Sequence, residues 1–381
     1  MKFFDRGTFN NAIETYDCGI IGAGLAGLSA AILLSRLGYK VLVMEQKQFP
    51  MHKVCGEYVS MESYDFLENL GLPLSKMDLP MIRNVNISAP NGSMLSHELD
   101  LGGFGISRYL LDDLLAKKSV ECGATLKENT KVFDVRYKDE KFEIFTNNGN
   151  FVTKLCIGSF GKYPLFSMRH IKKSINYIGV KYHIKSDRIK RDVIELHNFK
   201  DGYCGVSAIE NGSACLCYLT TADNLKNHGN SIQELEKKIL MKNKYLKSIF
   251  ERSVFVFDRP MVISNVTFES KRPVWNNILM VGDASGSIAP LCGNGMSMAF
   301  RGAGILSELL VKFLNGQIDR KDLNKIYTEK WQDNFEKRIK VGFYLQKLFG
   351  RNILTNISIS TLKYLPFISK KIIRLTHGDK F

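Results

Sequence analysis

Residues 18–46, CGIIGAGLAGLSAAILLSRLGYKVLVMEQ, contain the pattern that most restricts how this chain can fold. A short apolar run leads into a glycine-rich turn, a helix follows the turn, and a second apolar run ends at Glu45. In such a turn Gly22 permits the tight bend, Gly24 lets the backbone approach a pyrophosphate, and Gly27 lets the helix pack closely on the strand. The helix N-terminus offers N–H groups to phosphates, and Glu45 lies where a carboxylate can bind ribose hydroxyls. The pattern therefore predicts a dinucleotide-binding unit.

Length and composition are those of an ordinary globular protein. The 381 residues suffice for two domains, and the contents of 45% hydrophobic and 24% charged residues are typical of a water-soluble fold. No apolar run reaches the roughly 18 residues that span a bilayer, and residues 1–17 lack the apolar core of a secretory signal. The eight cysteines show no zinc-ligand spacing. We therefore expect a cytoplasmic protein with reduced thiols and no metal site.

The net charge of +15 is concentrated at the C-terminal end. Residues 337–381 contain ten basic side chains and one acid, interleaved with aromatic and aliphatic residues. This combination suits peripheral binding to an anionic membrane surface. It is also typical of a helical cap whose apolar face packs on the rest of the protein. No compact basic motif points to nucleic acid, so the expected partners are a hydrophobic small molecule and, if the segment is more than a cap, a membrane.

Two further loops narrow the choice of dinucleotide. One is KVCGEYVS, residues 53–60, and the other is VGDASGSIAPLCGNGMSMAF, residues 281–300. Asp283 ends an apolar strand, where its carboxylate can accept hydrogen bonds from a polyhydroxyl chain. The PLCGNG stretch then places a bend and two glycines before a helix, whose N–H groups suit a group that becomes anionic on reduction. NAD needs no such second site, whereas the ribityl chain and ring of FAD do, so we predict FAD.

The turn at 22–27 and these two loops resemble those of the glutathione-reductase-like flavoproteins of the aromatic-hydroxylase branch. Within that branch they are most similar to the geranylgeranyl reductase group, whose loops typically read PxxCGG and GDAAGxxxPLTGGG. The resemblance spans about residues 16–315. It implies an α/β fold, with a Rossmann-like FAD-binding domain, an inserted, mainly antiparallel β substrate domain, and C-terminal helices.

The resemblance and the coarse pattern of the chain together set the predicted domain boundaries. The FAD-binding domain would comprise residues 1–75, 100–165 and 272–315, the substrate-binding sheet residues 76–99 and 166–271, and the C-terminal helical region residues 316–381. Residues 57–72 are expected to form a helix, which Gly71 and Pro73 would end.

The same resemblance implies a set of cofactor-binding residues. Glu45 would bind the ribose, Arg108 the phosphate region of FAD, and Asp283 the pyrophosphate–ribityl region. Residues 293–296 would lie along the pyrimidine edge of the flavin, and residues 55–56 over its ring. The full set is Gly22, Ala23, Gly24, Ala26, Gly27, Glu45, Gln46, Cys55, Gly56, Arg108, Val132, Gly282, Asp283, Pro290, Gly293, Gly295 and Met296.

Several positions depart from the patterns of related groups. Where the aromatic hydroxylases carry an Asp-Gly pair linked to NAD(P)H handling, this chain has Phe160 in place of the acid. NAD(P)H therefore stays open as the external electron donor. Ser285 follows the GDA motif where hydroxylases usually have His, which favours the reductases. The chain lacks the W-x-W-x-I-P segment of flavin halogenases, and Glu57 replaces the second glycine of the reductase loop.

The leading hypothesis is an FAD-dependent oxidoreductase that reduces carbon–carbon double bonds of a hydrophobic, isoprenoid or lipid-like substrate. Reduced flavin would deliver hydride and a nearby acid would protonate the other carbon. Cys55 and Glu57 are the catalytic candidates. Cys55 could instead be a small packing residue, and Glu57 a surface or helix-capping carboxylate. An FAD-dependent monooxygenase acting on an aromatic or polyene substrate is the main alternative, and a redox-inert flavoprotein that binds a lipid or partner is a third.

Overall fold

The computed structural model describes residues 14–162, 176–266, 271–348, 351–364, 367, 374 and 378–381. The strands are β1 (Thr15–Ile21), β2 (Val41–Met44), β3 (Tyr58–Ser60), β4 (Met81–Ser88), β5 (Met94–Gly105), β6 (Thr125–Lys127), β7 (Val132–Lys138), β8 (Lys141–Thr146), β9 (Gly149–Gly158), β10 (Tyr177–Lys185), β11 (Val193–Phe199), β12 (Gly202–Ala208), β13 (Ala214–Thr221), β14 (Val254–Phe255), β15 (Met261–Val266), β16 (Val274–Trp275) and β17 (Ile278–Met280). The helices are α1 (Leu25–Arg36), α2 (Tyr64–Asn69), α3 (Arg108–Glu121), α4 (Ala222–Lys226), α5 (Ile232–Lys238), α6 (Lys244–Arg252), α7 (Gly295–Leu314), α8 (Arg320–Trp331), α9 (Lys337–Leu348) and α10 (Asn352–Tyr364).

The first sheet is the dinucleotide-binding sheet that residues 18–46 predict. Its strand order is β16-β17-β9-β1-β2-β6, and β1 pairs in parallel with β2 on one side and β9 on the other. The antiparallel pair β7–β8 extends from β9. Because β1 is central, its apolar run is buried, with Cys18 and Ile20 fully enclosed. Helices α1, α3 and α7 pack together around this sheet, and α1 is apolar on nearly all sides because it lies between the sheet and α7.

The second sheet is mainly antiparallel, with the order β14-β10-β13-β12-β11-β4-β5-β3 and β15 attached to β10. Its alternating side chains divide into two faces. Val180 and Tyr218 point to one face, where they form an apolar core with α5 and α6. Lys181, Cys217 and Gly205 lie opposite one another in register and share the other face. That second face is turned toward the first sheet's loops.

The expected helix over residues 57–72 is wrong in its first part. Residues 58–60 form β3, which pairs with β5 through Tyr58 and Gly105, and the helix α2 begins only at Tyr64. An aromatic and a β-branched residue at positions 58 and 59 fit a strand better than a helix. The second sheet thus includes β3 and β5 as far as Gly105, so that residues 58–60 and 100–105 belong to this sheet although they fall within the predicted FAD-binding ranges.

The C-terminal helices wrap around both sheets. Helix α8 packs on α7, and α10 packs on β5, with Ile359 buried against Ala89 and Leu95. The last residues return to α2, where the Phe381 ring lies 5.4 Å from the Phe66 ring. Among the described residues, no helix combines the length and the apolar character needed to cross a membrane.

Candidate functional site

The N-terminus of α1 is built to receive an anion. Gly24 occupies the cap position, and no described side chain caps the helix there. The first intrahelical bond runs from Leu28 N to Gly24 O at 2.9 Å, so the three preceding N–H groups find no acceptor within the helix. Leu25 and Ala26 are nevertheless buried. A phosphate group would satisfy these donors and the helix dipole together.

The three glycines of the turn have different surroundings, and the difference fits a cofactor. A Cβ atom at Gly22, whose φ is +93°, would lie 2.6 Å from Ser159 O, and one at Gly27 would lie 2.5 Å from Gly22 O. Gly24 has no such neighbour, since the nearest atom to its Cβ position is Ser159 O at 3.8 Å. Packing within the protein therefore requires glycine at positions 22 and 27. Beside Gly24 the protein leaves room that a bound cofactor could occupy.

Glu45 lies at the carboxyl end of β2, beside this turn. Its Oε2 accepts a hydrogen bond from Ala23 N at 2.9 Å, and its Oε1 accepts one from Lys47 N at 3.1 Å. A carboxylate has about four acceptor positions, so ribose hydroxyls could still bind to it. Gln46 is exposed next to it, and Val132 begins β7 close by, two residues after a backbone contact with Glu45. The structure thus brings these four predicted residues, Ala23 included, to one place.

The GDA loop after β17 meets the same helix. Gly282 has a φ of +64°, and its Cβ position would be 3.4 Å from Ala26 Cβ and 3.6 Å from Ala299 Cβ, so the loop lies between α1 and α7. The Asp283 side chain is partly exposed, and its carboxylate lies 4.0 Å from Lys162 Nζ. The position suits the predicted contact with the pyrophosphate–ribityl region.

A second uncapped helix start lies across the site. Residues 290–292 form a short 3-10 turn, Gly293 adopts a φ of +65°, and α7 begins at Gly295 without a side-chain cap among the described residues. Cys55 approaches from the other loop, with its Sγ 3.8 Å from Met296 Sδ. The Tyr58 ring lies against Gly293. Of the residues predicted to contact the flavin ring, Cys55 and Met296 therefore lie in contact with each other across the two loops.

Glu57, at the end of the loop at 53–57, combines an unusual backbone conformation with full burial. It is a non-glycine residue with a φ of +56°, and it is fully buried. Its Oε2 lies 2.7 Å from His183 Nε2, and its Oε1 accepts from Arg108 N at 2.7 Å and from Lys181 Nζ. Lys181 is also fully buried and donates a second hydrogen bond to Lys53 O at 3.1 Å. A buried carboxylate thus ties the loop to strand β10.

The surrounding charges keep this carboxylate ionised. Burial alone would raise the pKa of Glu57, but the His183 hydrogen bond and the positive charge of Lys181 lower it below its ordinary value. Burial likewise opposes the charge on Lys181, and the neighbouring Cys215 and Glu57 outweigh it, so that the pKa of Lys181 is raised. These contacts favour a role for Glu57 in holding the loop over one in donating a proton.

Arg108 begins α3 directly below this network. Its guanidinium donates two hydrogen bonds to Asp112, at 2.6 and 2.9 Å, and Lys53 Nζ lies 2.7 Å from the same carboxylate. Burial would raise the pKa of Asp112, but Arg108 and Lys53 lower it, so Asp112 stays charged. Arg108 is therefore held in place by Asp112, and its contact with the phosphate region of FAD stays a prediction.

The second sheet forms a floor beneath the loop at 53–57. Ser207 Oγ donates to Gly56 O at 2.9 Å, and Cys215 Sγ donates to Cys55 O at 3.1 Å. Further along the same face, the small residues Gly205 and Cys217 give way to an apolar cluster. Its members are Tyr203, Leu219 and Val266, with Tyr177, Leu196, Ile263 and Leu291 packed around them. Leu291 belongs to the loop before α7, so this buried apolar cluster joins the second sheet to the loop predicted to hold the flavin edge.

Lys181 and His183 did not emerge from sequence reasoning. A signal does exist, because they stand two residues apart in the strand YIGVKYHIK and so point to one face of it. Their partner Glu57 is 124 and 126 positions away, and local patterns do not reveal that pairing. Across the described parts of the chain, no group of three His, Cys, Asp or Glu side chains could hold a metal ion.

Comparisons with known proteins agree with this geometry. Residues 15–143 match the family described as FAD binding domain. The chain is 24% identical over 361 residues to a digeranylgeranylglycerophospholipid reductase of Methanococcus vannielii, a match that covers 88% of each protein. It is 23% identical over 382 residues to conditioned medium factor receptor 1 of Dictyostelium discoideum, which covers 92% of this chain and 71% of that protein.

Among solved structures, the flavin-dependent brominase Bmp2 superposes with a TM-score of 0.80 at 19% identity, over 95% of this chain and 93% of the brominase. At that identity the likeness establishes the fold alone. The predicted α/β fold and the predicted FAD cofactor are confirmed.

Proposed function

We propose that this chain, an FAD-dependent oxidoreductase, reduces carbon–carbon double bonds of a hydrophobic, isoprenoid or lipid-like substrate. The observation that carries the proposal is the apolar face of the second sheet, which lies under the loop at 53–57 and opposite the start of α7. The reductase from Methanococcus vannielii, similar over nearly its whole length, supports the same substrate class.

FAD supplies the hydride when it is bound and reduced. The residues of the chain would bind and orient it: the α1 N-terminus the pyrophosphate, Glu45 the ribose, and the uncapped start of α7 the pyrimidine edge. The apolar floor would hold the substrate's hydrocarbon chain and exclude water from the reacting carbons.

Reduction of a double bond also requires a proton at the second carbon. Cys55 is the better candidate donor, because it is half-buried and its Sγ is directed to Met296, at the expected edge of the ring. We assign Glu57 a positioning role instead, since Lys181 and His183 hold it as a carboxylate that fixes the loop carrying Cys55. The thiol would recover its proton from solvent after each turnover.

The test is anaerobic. The FAD-loaded protein is reduced with dithionite and mixed with a polyprenyl acceptor, and reoxidation of the flavin is followed by absorbance. We expect the acceptor to speed reoxidation and the saturated product to appear. Replacement of Cys217 by Phe would fill the floor, and we expect it to abolish the acceptor effect while the FAD content stays at the wild-type level.

Cys55→Ala and Cys55→Ser separate protonation from packing. If Cys55 donates the proton, Ser should retain more product formation than Ala, with an altered pH profile, and both should bind FAD normally. Rapid reoxidation by oxygen that an aromatic or polyene compound stimulates, with no effect of a polyprenyl acceptor, would contradict the reductase proposal and establish the monooxygenase alternative.

A further inference from the structure

Helix α10 exposes an apolar stripe on the side turned away from β5. Thr355 and Ile359 are buried on its inner side. The outer side carries Leu354, Ile357 and Tyr364, with exposures of 42%, 58% and 79%. Their spacing of three and then seven residues places them on one helical face. A solvated helix normally presents polar side chains on that face, so the stripe is suited to contact something apolar.

Helix α9 shows the same arrangement. Gly342 and Gln346 are buried on its inner side, whereas Phe343 and Tyr344 are exposed, the latter at 67%. Lys337 is exposed on the same helix. Aromatic rings beside basic side chains are the combination found where a helix lies in a membrane interface.

Three exposed basic side chains on or beside these helices stand without an acidic partner among the described residues. Within the described residues, no acidic side chain lies within salt-bridge distance of Lys337, Arg351 or Lys363, whereas Lys340 pairs with Glu336 at 2.7 Å. Lys370 and Lys371 lie outside the described residues. The described part of the C-terminal region thus combines exposed aromatic rings with uncompensated positive charge.

We propose that the outer sides of α9 and α10, which carry Phe343, Tyr344, Leu354, Ile357, Tyr364 and the three basic side chains, dock on an anionic lipid membrane. A second copy of the chain fits less well, because pairing the two surfaces would bring like charges together. Docking on a membrane is separate from the proposed reaction, because it concerns where the protein acts and can be measured without turnover.

The structure also decides which experiment can test this. Removing residues 337–381 would strip Arg338 from the buried Glu62, to which it is bonded at 3.3 Å, and would uncover the residues beneath Ile359. Such a truncation would damage the fold whether or not the segment binds lipid. Substitutions of exposed side chains avoid that difficulty.

The measurement is cosedimentation of the full-length, FAD-loaded protein with vesicles. We expect binding to phosphatidylcholine vesicles that contain phosphatidylglycerol, much weaker binding to phosphatidylcholine alone, and release at high salt, because salt screens exposed charges. A basic residue near an anionic surface contributes about 1 kcal/mol. Each Lys→Gln change should therefore lower the partition coefficient about fivefold.

Two double variants carry the test. Lys337→Gln with Lys363→Gln should lower binding about 25-fold, and Ile357→Asn with Tyr364→Asn should lower it at least tenfold through lost apolar burial. Matched controls alter other exposed side chains of the same kind elsewhere. They are Lys185→Gln with Lys237→Gln, and Leu37→Asn with Phe133→Asn, and both should bind as the wild type does.

The FAD absorbance and the melting temperature show whether each variant is folded. If the Ile357→Asn, Tyr364→Asn variant does not fold, the Lys337→Gln, Lys363→Gln variant still tests the proposal. Wild-type protein that fails to sediment with anionic vesicles overturns the proposal. Equal losses in test and control variants overturn it too. Sedimentation velocity tests the alternative that a second copy of the chain covers the stripe. A wild-type dimer that does not bind vesicles, and that the Ile357→Asn and Tyr364→Asn substitutions convert to monomer, would show that the stripe is a contact between copies.

Discussion

Gly24 and Gly27 lie three positions apart in one turn, but different contacts restrict them. A Cβ atom at Gly24 would make only ordinary van der Waals contact with Ser159, whereas one at Gly27 would collide with Gly22 O. We expect Gly24→Val to fold yet purify without flavin, because its side chain would occupy the place of the pyrophosphate. Gly27→Val should instead misfold. The flavin absorbance of the purified proteins and circular dichroism of their apo forms distinguish the two results. A yellow Gly24→Val protein would contradict the assignment of this turn.

Glu57 and Lys181 form a buried ion pair whose two halves depend on each other. Loss of one partner from such a pair costs about 3–5 kcal/mol, because the other charge stays buried. We expect Lys181→Met and Glu57→Gln each to lower the free energy of unfolding by that order, and the double variant by less than the sum. Urea denaturation of the wild type, the two single variants and the double variant measures the coupling between the two residues. Strictly additive losses of unfolding free energy would refute that coupling.

The same pair predicts a dependence on pH. The pKa of Glu57 is lower in the folded chain than its ordinary value of 4.5. A carboxyl group whose pKa is lowered by folding stabilises the folded state at pH values above the unfolded pKa. That contribution is lost as the pH falls through the folded pKa. Wild-type stability should therefore decline below about pH 4.5 more steeply than that of Glu57→Gln. Melting temperatures of the wild type and of Glu57→Gln, measured from neutral to acidic pH, test this prediction. Parallel curves for the two proteins would mean that Glu57 does not cause the loss of stability in acid.

At the scale of the element, α10 has two sides that can be compared directly. Ile359 is 2% exposed and packs against the β4–β5 hairpin, whereas Ile357 on the same helix is 58% exposed. We expect Ile359→Ala to cost about 2–5 kcal/mol through the cavity it leaves. Ile357→Ala should change stability by less than about 0.5 kcal/mol. Similar values for both, from chemical denaturation, would mean that α10 does not pack as described.

The short strand β3 shows how an element is decided by its neighbours. Residues 57–72 have a helical pattern in part, but Tyr58 pairs with Gly105 and the chain turns into α2 only afterwards. The pairing places Glu57, with its left-handed φ of +56°, immediately before β3. Tertiary pairing outweighs local propensity in such short segments.

For the molecule as a whole, Phe160 bears on the source of electrons. It follows β9 and packs with Met280 in the core below the first sheet, so it offers no carboxylate to the site. We expect NADPH to reduce the bound flavin poorly and dithionite to reduce it fully. Stopped-flow absorbance without substrate makes the comparison. Fast, saturable reduction by NADPH would show that the chain handles the nucleotide in another way.

Local signals were enough to determine the cofactor half of the protein. The turn at 22–27, Glu45, and the loop at 282–296 each carry their meaning in residue type and short spacing, because a phosphate site at a helix start needs glycines and free N–H groups at fixed positions. Composition and a basic, aromatic C-terminal segment were also visible, although the sequence could not separate a cap from a docking surface.

Only the tertiary structure decided the other half. Lys181 and His183 reach Glu57 across more than a hundred positions, and the floor of Gly205 and Cys217 exists only where two strands lie in register. The two sides of α10 are likewise distinguished by what packs beneath them. Such contacts depend on how the sheets and helices pack against one another, and residue spacing along the chain does not predict that packing.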